Sequence, residues 1–77
     1  MIIDNKVQQG FIKLGLHIKK LRVERKITLK ELSEKTGIRK EYLQKIEDGK
    51  AYGVLMERHL FKISSALTIK ISEMFDI

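Results

Sequence analysis

The chain contains no cysteine, and this absence excludes both disulfide bonds and metal sites built on thiolates. Its two histidines, His17 and His59, lie far apart and lack ligand spacing, so we expect no metal and no cofactor. Disulfides and metals commonly stabilise small chains, because a domain of this size buries only about 60% of its unfolded surface. We therefore expect a partner subunit to supply extra stability.

The chain also lacks a long apolar run, since no stretch approaches the roughly 18 residues that a membrane span needs. Its first residues, MIIDNK, have neither the cationic nor the apolar segment of a signal peptide. These absences predict a cytoplasmic protein with no membrane partner. Catalytic signatures are missing too: there is no Ser/His/Asp set, no phosphate-binding glycine loop and no HExxH pattern. We expect no enzymatic activity.

Positive charge is in excess, with 16 Lys/Arg against 10 Asp/Glu and a formal net charge of +6. Residues 13–50 hold 12 Lys/Arg and 6 Asp/Glu, and the remainder of the chain is neutral. The simpler interpretation is a solvated basic surface that keeps the protein soluble. A local positive field also attracts polyanions, either nucleic acid or, less often, an anionic membrane.

Apolar residues recur at helical spacing through almost the whole chain, which contains no proline and no repeats. The two longest stripes are Val7, Phe11, Leu14, Ile18 and Leu21, and Leu55, Met56, Leu60, Ile63 and Leu67. A last short helix follows from Ile71, with Ser72 as its candidate cap. The pattern predicts an all-α fold of five helices.

The first helix has two open features. Asp4 or Asn5 can cap it, whereas Gly10 and Gly15 each weaken it by roughly 1 kcal/mol relative to alanine. A break at one glycine would make the start of the chain a separate arm. We therefore divide the chain into an N-terminal extension, residues 1–13, and a domain, residues 14–77. The apolar residues of the extension either cover the core of the domain or form a dimer interface.

The stretch TLKELSEKTGIRKEYLQKIEDG, residues 28–49, contains two short helical patterns joined by a glycine. Thr28 and Glu31 fit a capping box, and Gly37 can adopt the left-handed conformation that follows a helix end. Helices this short are marginal alone, so tertiary packing must stabilise them. Two such helices under a longer one are typical of the helix-turn-helix unit, whose second helix fits the DNA major groove.

The chain resembles the Cro/lambda-repressor-like helix-turn-helix family, also called the XRE family, over residues 14–75. The matching segments are LGLHIKKLR (14–22), ITLKELSEKTGI (27–38), EYLQKIEDGK (41–50), LFKISSAL (60–67) and ISEMF (71–75). The resemblance implies a compact five-helix domain that binds operator DNA as a homodimer. It also implies that Glu47 pairs inside the domain with a basic residue of the first helix, Arg22.

The resemblance places the recognition helix at residues 39–47. The implied base-reading residues are Lys40, Glu41, Gln44 and Lys45. Lysine can donate to guanine, glutamine can bond adenine and glutamate can accept from cytosine. The candidate phosphate contacts are Thr28, at a helix N-terminus, with Lys30, Arg39 and Lys50. The alternative for each lysine is that it is only solvated.

Three features depart from the family pattern. Arg39 replaces a small N-cap, the loop after Gly49 is longer and lacks proline, and Thr68 replaces a glycine after the fourth helix. The last substitution predicts a different helix end at that point.

The sequence predicts a sequence-specific DNA-binding transcriptional regulator, a repressor, that binds a palindromic operator as a homodimer. Phe75 and Ile77, and the extension, are the expected dimer contacts. The stretch GIRKEYLQKIEDGKAYGVL, residues 37–55, also resembles the cytoplasmic helix-turn-helix domain of the bacterial cell-shape protein RodZ, which holds a protein partner. The alternative is therefore a protein-interaction module, RodZ-like or antitoxin-like, with little or no DNA binding.

Overall fold

The computed structural model describes residues 5–51 and 54–76, with the side chains at 5, 7 and 54–57 left aside. All regular elements in these ranges are α-helices: α1 (Asn5–Glu24), α2 (Leu29–Thr36), α3 (Lys40–Glu47), α4 (Val54–Ala66) and α5 (Ile71–Met74). The predicted five-helix, all-α fold is confirmed.

An apolar core lies where the helices meet. Its fully buried members include Ile18 of α1, Leu32 of α2, Leu43 of α3 and Ile63 of α4. Helix α1 packs against α3 and α5, while α2 packs against α3 and α4. This packing supplies the stability that the eight-residue helices α2 and α3 cannot obtain from their own length.

Helix α1 runs from Asn5 to Glu24 without interruption, so the alternative of a break at Gly10 or Gly15 is wrong. The helix crosses the boundary drawn between residues 13 and 14, and the division into two domains stays a prediction. A Cβ at Gly15 would lie 2.6 Å from the carbonyl oxygen of Glu47. Gly15 therefore lets α1 pack directly against the backbone at the end of α3. The predicted cap at Asp4 lies outside the described residues.

The last helix begins differently from the prediction. Lys70 is the N-cap of α5, its side chain makes no capping hydrogen bond, and Ser72 lies inside the helix. The predicted cap at Ser72 is therefore wrong.

Within the described residues, 5–51 and 54–76, no helix is long and apolar enough to cross a membrane. No group of three acidic, histidine or cysteine side chains in the same ranges is arranged to hold a metal ion.

Helix α4 ends in a Schellman motif centred on Thr68. The N–H of Thr68 donates to the carbonyl of Ser65 at 3.1 Å, and the N–H of Ile69 donates to that of Ser64 at 3.0 Å. Thr68 has φ of 58°, in the left-handed region that β-branched residues rarely adopt. The predicted change of helix end is therefore wrong, because threonine adopts the conformation usual for glycine at this position.

We expect Thr68→Gly to raise the free energy of unfolding by about 1 kcal/mol. The left-handed conformation costs a non-glycine residue roughly 1–2 kcal/mol, and glycine removes this cost. Part of the resulting stabilisation is lost, because glycine gives the unfolded chain more conformational entropy. Thr68 is exposed, so little packing is removed. Chemical denaturation measures the change. The matched control Ser65→Gly, at an exposed position within α4, should instead lower the free energy of unfolding by about 0.5 kcal/mol. The same sign in both variants would contradict strain at Thr68.

Candidate nucleic-acid interface

The start of α2 and the turn after it are fixed by local hydrogen bonds. The predicted capping box is confirmed: Thr28 Oγ1 accepts from the N–H of Glu31 at 3.1 Å, and the N–H of Thr28 donates to Glu31 Oε1 at 3.3 Å. Gly37 has φ of 74°, and its N–H donates to the carbonyl of Ser33 at 2.8 Å. The Ser33 hydroxyl donates to the carbonyl of Ile38, a buried residue that anchors the turn to the core.

Helix α3 has a buried inner face and an exposed outer face. Leu43 and Ile46 are each 1% exposed and attach the helix to the core. The four candidate base-reading residues all lie on the exposed side: Lys40, Glu41, Gln44 and Lys45. The structure thus brings these side chains together on one solvent-facing surface, and their role in reading bases stays a prediction.

A buried ion pair ties the end of α3 to α1. Arg22 Nε lies 2.7 Å from Glu47 Oε2, and Arg22 Nη2 donates to Glu47 Oε1 at 3.0 Å. The third donor, Arg22 Nη1, reaches the carbonyl of Ile27 at 2.8 Å. The predicted pairing of Arg22 with Glu47 is confirmed. Because a bidentate pair restricts orientation as well as distance, it contributes with Leu43 and Ile46 to the orientation of α3 against the domain.

Asp48 is a residue of this surface that sequence reasoning missed. Gln44 Nε2 donates to Asp48 Oδ1 at 3.1 Å, and both side chains are exposed. The second N–H of the Gln44 amide and its Oε1 stay available to a base, and the bond to Asp48 restricts the orientation of the amide. Spacing of four residues within and just beyond a helix is the signal that could have revealed the contact.

The four candidate phosphate contacts differ in the interactions that their side chains already make. Lys30, Arg39 and Lys50 are exposed, and none of them forms an ion pair within the described part of the chain. The hydroxyl of Thr28, in contrast, donates to Glu31 Oε1 at 3.1 Å. The Glu31 carboxylate places negative charge at the start of α2, which opposes a phosphate there. Thr28 is therefore the weakest of the four candidates.

Arg39 is the N-cap of α3, and its side chain makes no capping hydrogen bond. A serine or threonine cap would bond one of the free amides of the first turn. The N–H of Tyr42 donates to the carbonyl of Arg39 at 3.0 Å, whereas those of Lys40 and Glu41 have no side-chain cap. The start of α3 therefore combines uncapped N–H donors with an exposed cation. Both features favour an anion such as a phosphate.

One aromatic contact supports α3 from the side of α4. The rings of Tyr42 and His59 have centroids 4.9 Å apart and meet edge-to-face at 71°. Burial, and secondarily the charge of Lys62, lower the pKa of His59 below its usual value. The imidazole is therefore neutral at physiological pH and packs as an aromatic ring. This contact was not predicted, because the two residues are far apart in the sequence.

Comparison with known proteins gives the family. The chain matches the family described as HTH_3, Helix-turn-helix, over residues 18–74, which contain α2, the turn and α3. No curated protein matches the chain.

Two solved structures are similar over most of the chain. The restriction-modification controller protein C.AhdI from Aeromonas hydrophila is 25% identical, with a TM-score of 0.77 over 84% of this chain and 96% of that one. An HTH_3 family transcriptional regulator from Vibrio cholerae is 27% identical, with a TM-score of 0.80 over 91% of this chain and 38% of that one. The present chain thus corresponds to less than half of the Vibrio protein. From the match over residues 18–74 and the arrangement of its helices, the chain belongs to the HTH_3 helix-turn-helix family, the XRE family.

Proposed function

We propose that the chain is a sequence-specific DNA-binding regulator of transcription whose helix α3 lies in the major groove. The observation that carries the proposal is the outer face of α3, where Lys40, Glu41, Gln44 and Lys45 are exposed together. Lysine, glutamine and glutamate supply the donors and acceptors that base edges in the major groove recognise. Membership of the HTH_3 family supports this function.

The flanking cations support the same docking. Lys30 on α2, Arg39 at the start of α3 and Lys50 after its end are exposed. The DNA backbone passes close to the ends of a helix that enters the groove. Arg39 precedes α3 and Lys50 follows it in the chain, while Lys30 lies in the first turn of α2, which packs against α3. Their contacts to phosphate position the protein, and the side chains of α3 select the sequence.

We propose that two copies bind together. Phe61 and Phe75 are 65% and 53% exposed, and with Leu60 and Ile71 they line a cavity of about 240 Å³. Exposed aromatic side chains beside an apolar cavity suit a two-fold contact, in which a ring from each copy fills the cavity of the other. Phe75 thus remains a proposed dimer contact, while Ile77 lies beyond the described residues.

A two-fold dimer implies a palindromic operator, with half-sites about one helical turn, or roughly 34 Å, apart. Occupation of such a site is enough to block other proteins from the same DNA. Repression is therefore the mode of action that we propose.

Selection from a pool of random duplexes, with light scattering on the bound complex, tests the proposal. We expect enrichment of a palindrome and a mass of two chains per duplex. A pool without enrichment would refute sequence-specific binding, and one chain per asymmetric site would refute the dimer.

Lys45→Ala is expected to weaken binding to the selected duplex by about 1–3 kcal/mol, with a far smaller loss on random DNA. The reason is that a base contact contributes only where the base is present. Fluorescence anisotropy with both duplexes measures the difference. Lys62→Ala is the matched control, because Lys62 is an exposed lysine on α4 outside the proposed contact surface. The affinity of this variant for both duplexes should be unchanged. Equal losses on both duplexes would make Lys45 a phosphate contact.

A second candidate function is the protein-interaction module, RodZ-like or antitoxin-like. The exposed rings of Phe61 and Phe75 favour it, because a different protein could occupy the cavity beside them. Stoichiometric retention of one protein, with no shift of any duplex at low salt, would favour this function over DNA binding.

A further inference from the structure

The excess positive charge lies mostly outside the helix-turn-helix unit. Residues 13–26 contain six Lys/Arg and one Glu, whereas residues 28–50 contain six Lys/Arg and five Asp/Glu. Two of the six cations in the first range serve the fold: Arg22 pairs with Glu47, and Arg25 donates to the carbonyls of Leu67 and Leu21. The other four are exposed lysines with no ion pair in the described part of the chain: Lys13, Lys19, Lys20 and Lys26.

An apolar stripe lies between three of these lysines on α1. Ile12, Leu16 and Val23 are 38%, 58% and 55% exposed. At about 100° per residue they fall within about 40° of one another around the helix, on the side opposite Leu14 and Ile18. Ile12 lies at the edge of the stripe nearest α3, because a Cβ at Gly49 would lie 2.7 Å from Ile12 Cγ1. Lys19 borders the stripe on one side, with Lys13 and Lys20 on the other. We call these six residues the α1 outer face; beside it is a cavity of about 380 Å³ that Lys13, Leu16, Lys20, His17 and Asp76 line.

We propose that the α1 outer face docks an acidic amphipathic helix of a partner protein. The apolar stripe from Ile12 to Val23 is about 17 Å long, the length of three helical turns. Helices that bind in this way place apolar side chains at i, i+3, i+4 and i+7 against such a stripe. Acidic residues beside them would meet the bordering lysines.

Charge and width distinguish this partner from the other possible occupants. A second copy would place lysine against lysine, which is unfavourable at an interface. A membrane-surface helix carries a large apolar face, and this stripe covers only about 40°. Duplex DNA would match the lysines but would leave the exposed side chains of Leu16 and Val23 without an apolar contact. The α1 outer face also shares no residue with the candidate base-reading or phosphate-contacting residues.

The experiment uses the 77-residue chain and two labelled synthetic peptides. One peptide is an acidic helix with leucines along one face, and the other has the same composition with the leucines redistributed. Fluorescence anisotropy should show saturable binding of the striped peptide, weakened by salt, and at least tenfold weaker binding of the scrambled one. Equal binding of the two peptides, or no binding of the striped one, would overturn the proposal.

Two variants locate the binding site. Leu16→Glu and Lys20→Glu should each weaken the striped peptide by about tenfold or more, because each places negative charge against an acidic helix. Both positions are exposed, so folding should persist, and circular dichroism checks it. Lys35→Glu makes the same charge change at an exposed position of α2 and should have little effect. An equal effect of Lys35→Glu would show that peptide binding depends on the net charge of the chain and not on the α1 outer face, and would overturn the proposal.

The same variants test the other occupants. If Leu16→Glu dissociates a dimer in light scattering, the face joins two copies. If it weakens the selected duplex as much as Lys45→Ala does, the face contacts DNA. If the chain binds phosphatidylserine vesicles through Leu16 and ignores the striped peptide, the occupant is a membrane. Each of these results overturns the proposal and leaves the function proposed for α3 independently testable.

Discussion

Glu47→Ala is expected to lower the free energy of unfolding by about 3–5 kcal/mol, the largest effect of any single change considered. The guanidinium of Arg22 is buried and donates two hydrogen bonds to the Glu47 carboxylate. Removal of the carboxylate leaves a buried charge without a partner. At about 0.05–0.15 kcal/mol per residue, a chain of 77 residues has a total stability of about 4–12 kcal/mol, so the variant should lose a large share of it. Denaturant titration followed by circular dichroism measures the loss.

Two controls separate the loss of the ion pair from other effects. Glu41→Ala removes the same side chain type from the same helix at an exposed position, and its effect should stay within about 0.5 kcal/mol. Replacement of both partners, Arg22→Met with Glu47→Leu, removes the unpaired charge and should recover most of the lost stability. A double variant as unstable as Glu47→Ala would show that the cost comes from packing and not from the unpaired Arg22.

The affinity for the selected duplex is expected to fall about 250- to 1,000-fold between 50 and 200 mM salt. This range corresponds to a slope of about −4 to −5 for log affinity against log salt, which follows if about four to six phosphates are neutralised. The residues available for it are the exposed cations around α3, including Lys30, Arg39 and Lys50. Anisotropy titrations at several salt concentrations measure the slope. A flat dependence would reject the electrostatic part of the proposed interface.

The salt slope also assigns individual residues. Lys30→Ala and Lys50→Ala should each reduce its magnitude by about 1 if the lysine contacts a phosphate. Lys62→Ala, a lysine on α4, should leave the slope unchanged. For Thr28 we expect a smaller change in the slope, because its hydroxyl is already bonded to Glu31 in the capping box.

Much of the fold could be predicted because its signals are local. The capping box at Thr28, the left-handed Gly37 and the alternation of buried and exposed residues on α3 each depend on residues a few positions apart. The pairing of Arg22 with Glu47 is not local, and only the family resemblance indicated it.

The remaining features depend on backbone geometry or on distant neighbours. Thr68 adopts a conformation that its side chain disfavours, because the Schellman hydrogen bonds of α4 hold it there. The contact of Tyr42 with His59 arises only when α3 and α4 meet. Likewise, Gly15 lowers the stability of an isolated helix, and it contributes to packing only once the backbone at the end of α3 lies against it. Such contacts follow from the tertiary arrangement and have no pattern of their own in the sequence.

The separation of buried anchoring residues from exposed residues on α3 has a practical consequence for engineering. Leu43, Ile46 and Glu47 hold the helix to the domain, whereas the side chains at positions 40, 41, 44 and 45 are open to solvent. Substitutions at those four positions leave the anchoring contacts intact. A library randomised only there would keep a common scaffold while its members sample different target sequences.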